Sequence, residues 1–288
     1  MVAKNIIGIY KSGSTHWVGD GFHVRNLFPS NDLDEQISPF LLLDYAGPSF
    51  FPPSTQSHGV GEHPHRGFET VTIVYQGSVA HRDSAGNRGV IGPGDVQWMT
   101  AASGIVHEEM HEKAFAQHGG MMEMVQLWVN LPKEHKMSSP RYQTILDSDI
   151  PRVALADESG TLRIIAGKFS EKSGPAKTFT PINLYDVRLK AGRSTAVLFP
   201  RGTTTAIFLL KGSITLNGTQ SLHEAQSALF DLEGEHISIT ANEEAALLIL
   251  NGEPIKEPIA RYGPFVMNTR EEIVAATRDY QAGKMGHL

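Results

Sequence analysis

Short apolar segments cut off by glycine and proline constrain this fold more than any other feature. The 288 residues include 28 Gly and 16 Pro, a density that favours many tight turns. Between the turns lie segments of strand character: Val71–Tyr75, Gly89–Ile91, Val96–Met99, Met124–Asn130, Leu162–Gly167, Ile182–Leu189, Ser194–Leu198, Thr205–Leu210, Ser213–Leu216, Ser227–Phe230, His236–Thr240 and Ala245–Asn251. Gly, Pro, Asn or Asp bound them, as expected of strand ends. Residues 245–250, Ala-Ala-Leu-Leu-Ile-Leu, form a continuous apolar run typical of a strand buried on both faces. Regularly spaced short strands point to an all-β sandwich or barrel. One helix is expected near the end, with Asn268 at the N-cap and Glu271 at N3. Ile273, Ala276 and Tyr280 share one face of it, and Gly283 is placed to end it.

The length suits two domains, and 40% apolar residues suffice for a core. An internal repeat supports that division. Ile73-Val74-Tyr75-Gln76-Gly77-Ser78-Val79 parallels Phe208-Leu209-Leu210-Lys211-Gly212-Ser213-Ile214. The stretch from Leu131 to Tyr142, with its Pro, Lys and Ser residues, reads as a connection. The expected partition is therefore an N-terminal domain over 1–133, a linker over 134–145 and a C-terminal domain over 146–288 that ends in the helix.

Composition excludes several chemistries. There is no cysteine, hence no disulfide, thiolate zinc site or cysteine nucleophile. Net charge is −6 with no long Lys/Arg run, which argues against direct nucleic-acid binding. No apolar span is long enough for a transmembrane helix, and the first residues carry no signal-peptide core. A cytoplasmic protein without a membrane partner is the expectation.

The chemistry concentrates in two short runs. His63-Pro64-His65 places two imidazoles on one face if the segment is extended, because positions i and i+2 of a strand share a face. His107-Glu108-Glu109 offers a third imidazole and a carboxylate at the same spacing. Nitrogen and carboxylate donors suit iron, nickel, manganese, cobalt or zinc. Three imidazoles and one carboxylate on an octahedral metal leave positions open for a substrate, as in the two-histidine-one-carboxylate sites of non-haem iron enzymes. Glu69 competes with Glu109 for the carboxylate role, since it follows His65 by four residues and shares its strand parity. Its plainer reading is a strand-end carboxylate or a partner orienting an imidazole. His58, His111 and His118 read as loop or surface residues, and His81 among others as structural or exposed. Trp98, Met99, Phe68 and Trp128 read as barrel lining, and Arg66 as solvated or ion-paired. Moved by the repeat spacing, His63 and His65 fall on Leu198 and Pro200, so the second half lacks the ligands.

The run His63-Pro64-His65-Arg66-Gly67-Phe68-Glu69-Thr70-Val71 resembles the signature of the pirin family, within the cupin superfamily. So do Pro93-Gly94-Asp95-Val96-Gln97-Trp98-Met99-Thr100-Ala101, the segment Gly104-Ile105-Val106-His107 with Glu109-Met110, and Gln126-Leu127-Trp128-Val129-Asn130-Leu131-Pro132. Val18-Gly19-Asp20-Gly21-Phe22 and residues 261–268, Arg-Tyr-Gly-Pro-Phe-Val-Met-Asn, fit as well. The resemblance implies two tandem cupin β-barrels, a bicupin, with one metal in the first. It implies His63, His65, His107 and Glu109 as ligands, iron(II) as the usual metal, and a degenerate second barrel. It also implies quercetin 2,3-dioxygenase activity in several members, an oxidoreductase reaction that opens a flavonol or similar enolic aromatic with dioxygen; on the donor set itself, Glu109 is the expected catalytic base. The alternative it implies is a non-enzymatic metal- or redox-sensing protein that regulates an enzyme or transcription factor partner.

Overall fold

A computed structural model describes residues 2–28 and 33–288. The chain folds as two β-barrels, and each segment expected to be a strand falls on a strand; the ends agree to within a residue except that Phe68–Gln76, Gly120–Asn130 and Gly160–Ala166 begin earlier than expected. All strand pairs are antiparallel.

The barrel that carries the histidines has a seven-stranded sheet. Its order is Arg141–Ile145, Val96–Thr100, Phe68–Gln76, Gly120–Asn130, Phe40–Phe51, Phe22–Asn26 and His16–Val18. Its four-stranded sheet runs Gly59–His65, Ile105–His111, Val79–Asp83 and Arg88–Ile91. The other barrel repeats the plan. Its seven-stranded sheet runs from Ile6–Lys11 through Gln226–Phe230, Thr204–Lys211, Ala245–Gly252, Ile182–Leu189 and Gly160–Ala166 to Arg152–Ala154. Its four-stranded sheet is Ser194–Leu198, His236–Ala241, Ser213–Leu216 and Gln220–His223. Gly77 and Gly212, the anchors of the sequence repeat, both turn the chain with positive φ, at 81° and 87°, where only glycine is unstrained.

The two interiors differ in chemistry. The second barrel is filled by aliphatic side chains, among them Val197, Ile207, Ile214, Ile237, Leu247 and Ile249. Close packing of that kind is what a domain without an interior site needs. The first barrel has only a partial apolar filling, Phe22, Val24, Val74, Val79, Ile91, Met122 and Met124 among it. It also buries a set of polar side chains, including Glu69, Thr72, His81, Asp83, Gln97, His107 and Glu109.

The partition of the chain differs from the contiguous one expected. One compact unit comprises residues 1–13, 27–39 and 148–254, and the other 14–26, 40–147 and 255–288. Long-range pairing is the reason. Strand Ile6–Lys11 hydrogen-bonds to Gln226–Phe230 in the second barrel. The final segment joins the first barrel, where Val266 N–H donates to the Arg66 carbonyl at 3.0 Å. The C-terminal helix, Arg270–Gln281, therefore belongs with the histidine barrel, and Ile273 and Ala276 pack against Val106, Phe265 and Met267. It begins one residue later than expected. Thr269 is the N-cap, its hydroxyl accepts the Glu272 N–H, and the Glu272 carboxylate accepts the Thr269 N–H. Threonine completes a reciprocal capping box here, while Asn268 turns its amide to the Pro258 carbonyl.

The expected linker also shrinks. Residues 141–145 form a strand paired with Val96–Thr100, and Lys136 is buried, its ammonium donating to Gly67 O, Asn130 Oδ1 and Val266 O. Three acceptors match an ammonium's three protons, which is how a lysine is tolerated in the interior.

Candidate metal centre

Gly59–His65 and Ile105–His111 lie side by side, with His107 opposite His63 and Ile105 opposite His65. The i, i+2 spacing puts His63 and His65 on one face, and the antiparallel register brings His107 to the same face. Ring centroids are 4.8 Å apart for His63–His65, 4.3 Å for His63–His107 and 4.9 Å for His65–His107. One nitrogen from each ring lies within 4.8 Å of the others. Between His107 and Glu109 the register shifts, so that Glu109 pairs with Val60. Such a bulge re-aims the side chains that follow it.

Tautomers follow from the neighbours. His63 Nδ1 lies 2.8 Å from the Gly61 carbonyl, and His65 Nδ1 lies 3.4 Å from the Pro264 carbonyl. A carbonyl only accepts, so each Nδ1 carries the proton and each Nε2 keeps its lone pair. His107 Nε2 is buried and has no hydrogen-bond partner among the described residues. Burial, then the charge of His63, drives the His65 pKa down to about 3. Burial likewise pushes His107 well below the ordinary histidine value, with His63 and His65 adding to it. These rings are neutral at pH 7, the form that binds metal. The donor set fits a divalent ion, and the orphaned Nε2 of His107 is a buried lone pair that such an ion would satisfy.

Glu109 is buried beside this group without belonging to the three-histidine cluster. Its Oε1 accepts the Thr72 hydroxyl at 3.1 Å and Gln97 Nε2 at 2.9 Å, and its Oε2 accepts Gln126 Nε2 at 2.7 Å. A carboxylate has about four lone-pair positions, so Oε2 retains acceptor capacity. Glu69 stands elsewhere. Its Oε1 accepts the Thr100 hydroxyl at 2.6 Å. The parity carried over from His65 fails because the strand is interrupted at Gly67, whose φ is +90°. Phe68 and Thr72, rather than Glu69, share the face of the histidines: the Phe68 ring lies 5.0 Å from that of His65, and Thr72 reaches Glu109. Trp128 joins that wall, 5.3 Å from His65 and 4.2 Å from Phe68.

The remaining candidates have structural partners. Arg66 is ion-paired with Asp279 at 2.9 Å and donates from Nε to Ser103 O at 2.7 Å. His58 pairs with Asp20 at 2.9 Å, and His118 bonds the Ala114 carbonyl at 2.7 Å. His111, expected at the surface, is buried, with Nε2 2.9 Å from the Gly21 carbonyl. Sequence reasoning missed Thr72, Gln97 and Gln126 around the carboxylate, and it left His81 without a role. His81-Arg82-Asp83 has the same i, i+2 spacing that singled out the ligands, and that was the available signal.

Comparison with known proteins agrees with this geometry. The family described as Pirin matches residues 21–129, and the Pirin C-terminal cupin domain matches residues 184–286. A Pseudomonas aeruginosa protein that bears quercetin 2,3-dioxygenase as a provisional name is 57% identical over 281 residues, with 98% of each chain covered. A pirin-like protein of Solanum lycopersicum is 39% identical over 272 residues, covering 93% of this chain and 88% of its own. A solved structure of quercetin 2,3-dioxygenase from Acinetobacter baumannii superimposes with a TM-score of 0.96 at 50% identity, covering 98% of each chain. Among the described residues, no helix is long and apolar enough to cross a membrane.

Proposed function

This chain belongs to the pirin family, and from that premise we propose that it is a metal-dependent dioxygenase of the quercetin 2,3-dioxygenase type. Its substrate is a flavonol or a similar enolic aromatic, and iron(II) is the metal we assign, held by His63, His65, His107 and Glu109. The observation that carries the reading is the buried His107 Nε2, partnerless within a group of three imidazoles. A purely structural cluster would have no reason to leave that lone pair empty. The names of the relatives at 57% and 50% identity support the substrate class.

A divalent ion supplies Lewis acidity that makes a substrate hydroxyl easier to ionise. Glu109 would turn the remaining lone pair of Oε2 from the ion to the proton released, as general base. Thr72, Gln97 and Gln126 keep that carboxylate oriented through its other lone pairs. Phe68 and Trp128 give the aromatic rings of the substrate an apolar wall beside His65. The ionised flavonol is electron-rich, which is the form that would react with dioxygen.

Aerobic assay of iron-loaded protein with quercetin tests the proposal, and loss of the flavonol absorbance is expected. Absence of turnover with iron, nickel, cobalt and manganese alike would overturn it. His63→Ala is expected to abolish stoichiometric metal binding, read by elemental analysis of the purified protein.

A further inference from the structure

The three histidines are not held alike. His63 and His65 direct Nδ1 at backbone carbonyls, but His107 Nδ1 faces another ring nitrogen, His81 Nδ1, at 3.4 Å. Behind it, His81 Nε2 lies 3.2 Å from Asp83 Oδ2, and both of those side chains are fully buried. Two facing ring nitrogens form a hydrogen bond only when one is protonated and the other is bare. Asp83 fixes the far nitrogen of His81. Its Oδ1 accepts the backbone N–H groups of Ala85 and Asn87 at 3.0 and 2.9 Å, and its Oδ2 accepts Asn87 Nδ2 at 2.9 Å. It presents only acceptors, so His81 Nε2 carries the proton. With that proton alone, His81 offers a bare Nδ1, His107 donates from its own Nδ1, and His107 Nε2 keeps the lone pair. That atom is the orphaned one. A doubly protonated His81 would instead force a proton onto His107 Nε2, leaving a buried N–H that no metal could satisfy.

We propose that Asp83 and His81 are positioning residues that set the tautomer of His107 and so aim its Nε2 into the metal site. Tyr142 holds the relay in plane, its ring stacked on His81 with centroids 4.6 Å apart and planes 15° from parallel. The relay deepens the reading of the three-histidine group as a metal site and rests on it, but its tautomers are measurable without any metal.

Nitrogen-15 NMR of the histidine rings in the uniformly labelled, metal-free full chain is the first test. His107 is expected to show a protonated Nδ1 and an unprotonated Nε2. The reverse tautomer, or a doubly protonated His81, overturns the proposal. Asp83→Asn is the second test. Two backbone N–H groups hold the Oδ1 position for the amide oxygen, so the NH2 group must take the Oδ2 position and face His81 Nε2. The donor order inverts, and His107 gains a proton at Nε2. The expected result is an inverted tautomer and a 10–100-fold loss of nickel(II) affinity, measured by competition with a chromophoric chelator. Affinity within twofold of the parent overturns the proposal. If Asp83→Asn does not fold, the parent spectrum alone decides. If the parent takes up no metal yet shows the expected tautomer, the metal reading fails and the relay stands.

Discussion

Two buried carboxyls in the histidine barrel differ because of what surrounds them. Glu109 has three donors, a hydroxyl and two amides. Glu69 has the Thr100 hydroxyl close by, and burial, opposed by that contact, raises its pKa to about 7 from 4.5. The folded chain therefore holds the Glu69 proton more tightly than the unfolded chain does. The stabilisation is fully present below pH 4.5 and is lost as pH rises through 7. The parent is expected to lose on the order of 3 kcal/mol over that window relative to Glu69→Gln, which cannot ionise. Urea unfolding of both proteins at stepped pH checks it, and parallel pH profiles would refute it. At Glu109 the prediction concerns activity. Glu109→Gln removes the proton acceptor while keeping the size, and quercetin turnover is expected to fall roughly 10²–10⁴-fold, with circular dichroism confirming that the variant is folded. By itself, spacing within a strand drew out His63, His65 and His107 and left open whether Glu109 or Glu69 is the carboxylate. It misjudged Glu69, because parity does not survive a turn, and the turn at Gly67 shows only in φ.

At the scale of elements, that turn links the strand of His65 to the strand of Phe68. A Cβ on Gly67 would sit 1.9 Å from the Val266 carbonyl oxygen, and the φ of +90° already disfavours any side chain. Gly67→Ala is expected to lower stability by roughly 2 kcal/mol or more, read as a shift of the denaturant midpoint. Metal affinity should fall with it, since His65 is adjacent to the displaced backbone. Strands with continuous apolar character, such as Ala245–Gly252 and Thr204–Lys211, were legible because burial on both faces selects one residue class. The strands that carry the candidate ligands were not. Residues 59–65, Gly-Val-Gly-Glu-His-Pro-His, mix glycine, proline and polar residues, and they are extended because they pair with Ile105–His111. Phe40–Phe51 hid for a related reason, since Gly47 and Pro48 interrupt an otherwise apolar run within a single long strand.

At the scale of the whole molecule, the repeat around Gly77 and Gly212 disclosed two similar barrels, and the missing histidines showed which one carries the site. The interleaving of the segments was invisible. It depends on pairings such as Ile6–Lys11 with Gln226–Phe230, which lie far apart in sequence and have no local signature. A truncation after Pro254 tests its consequence. It removes the Arg66–Asp279 ion pair and the Phe265, Met267, Ile273 and Ala276 contacts to Val106. The histidine barrel is expected to lose its near-ultraviolet circular dichroism, and with it the metal binding proposed above, although His63, His65, His107 and Glu109 remain in the chain. Retention of bound metal by the truncated protein would contradict this.

During synthesis the same interleaving imposes a schedule. Domains ordinarily fold in the order in which they leave the ribosome. Here the segments that close the histidine barrel are translated after the strands of the other barrel. The ligand strands must wait, uncovered, through most of elongation. A chain cut short before residue 255 would thus carry His63, His65, His107 and Glu109 without the segment that closes their barrel.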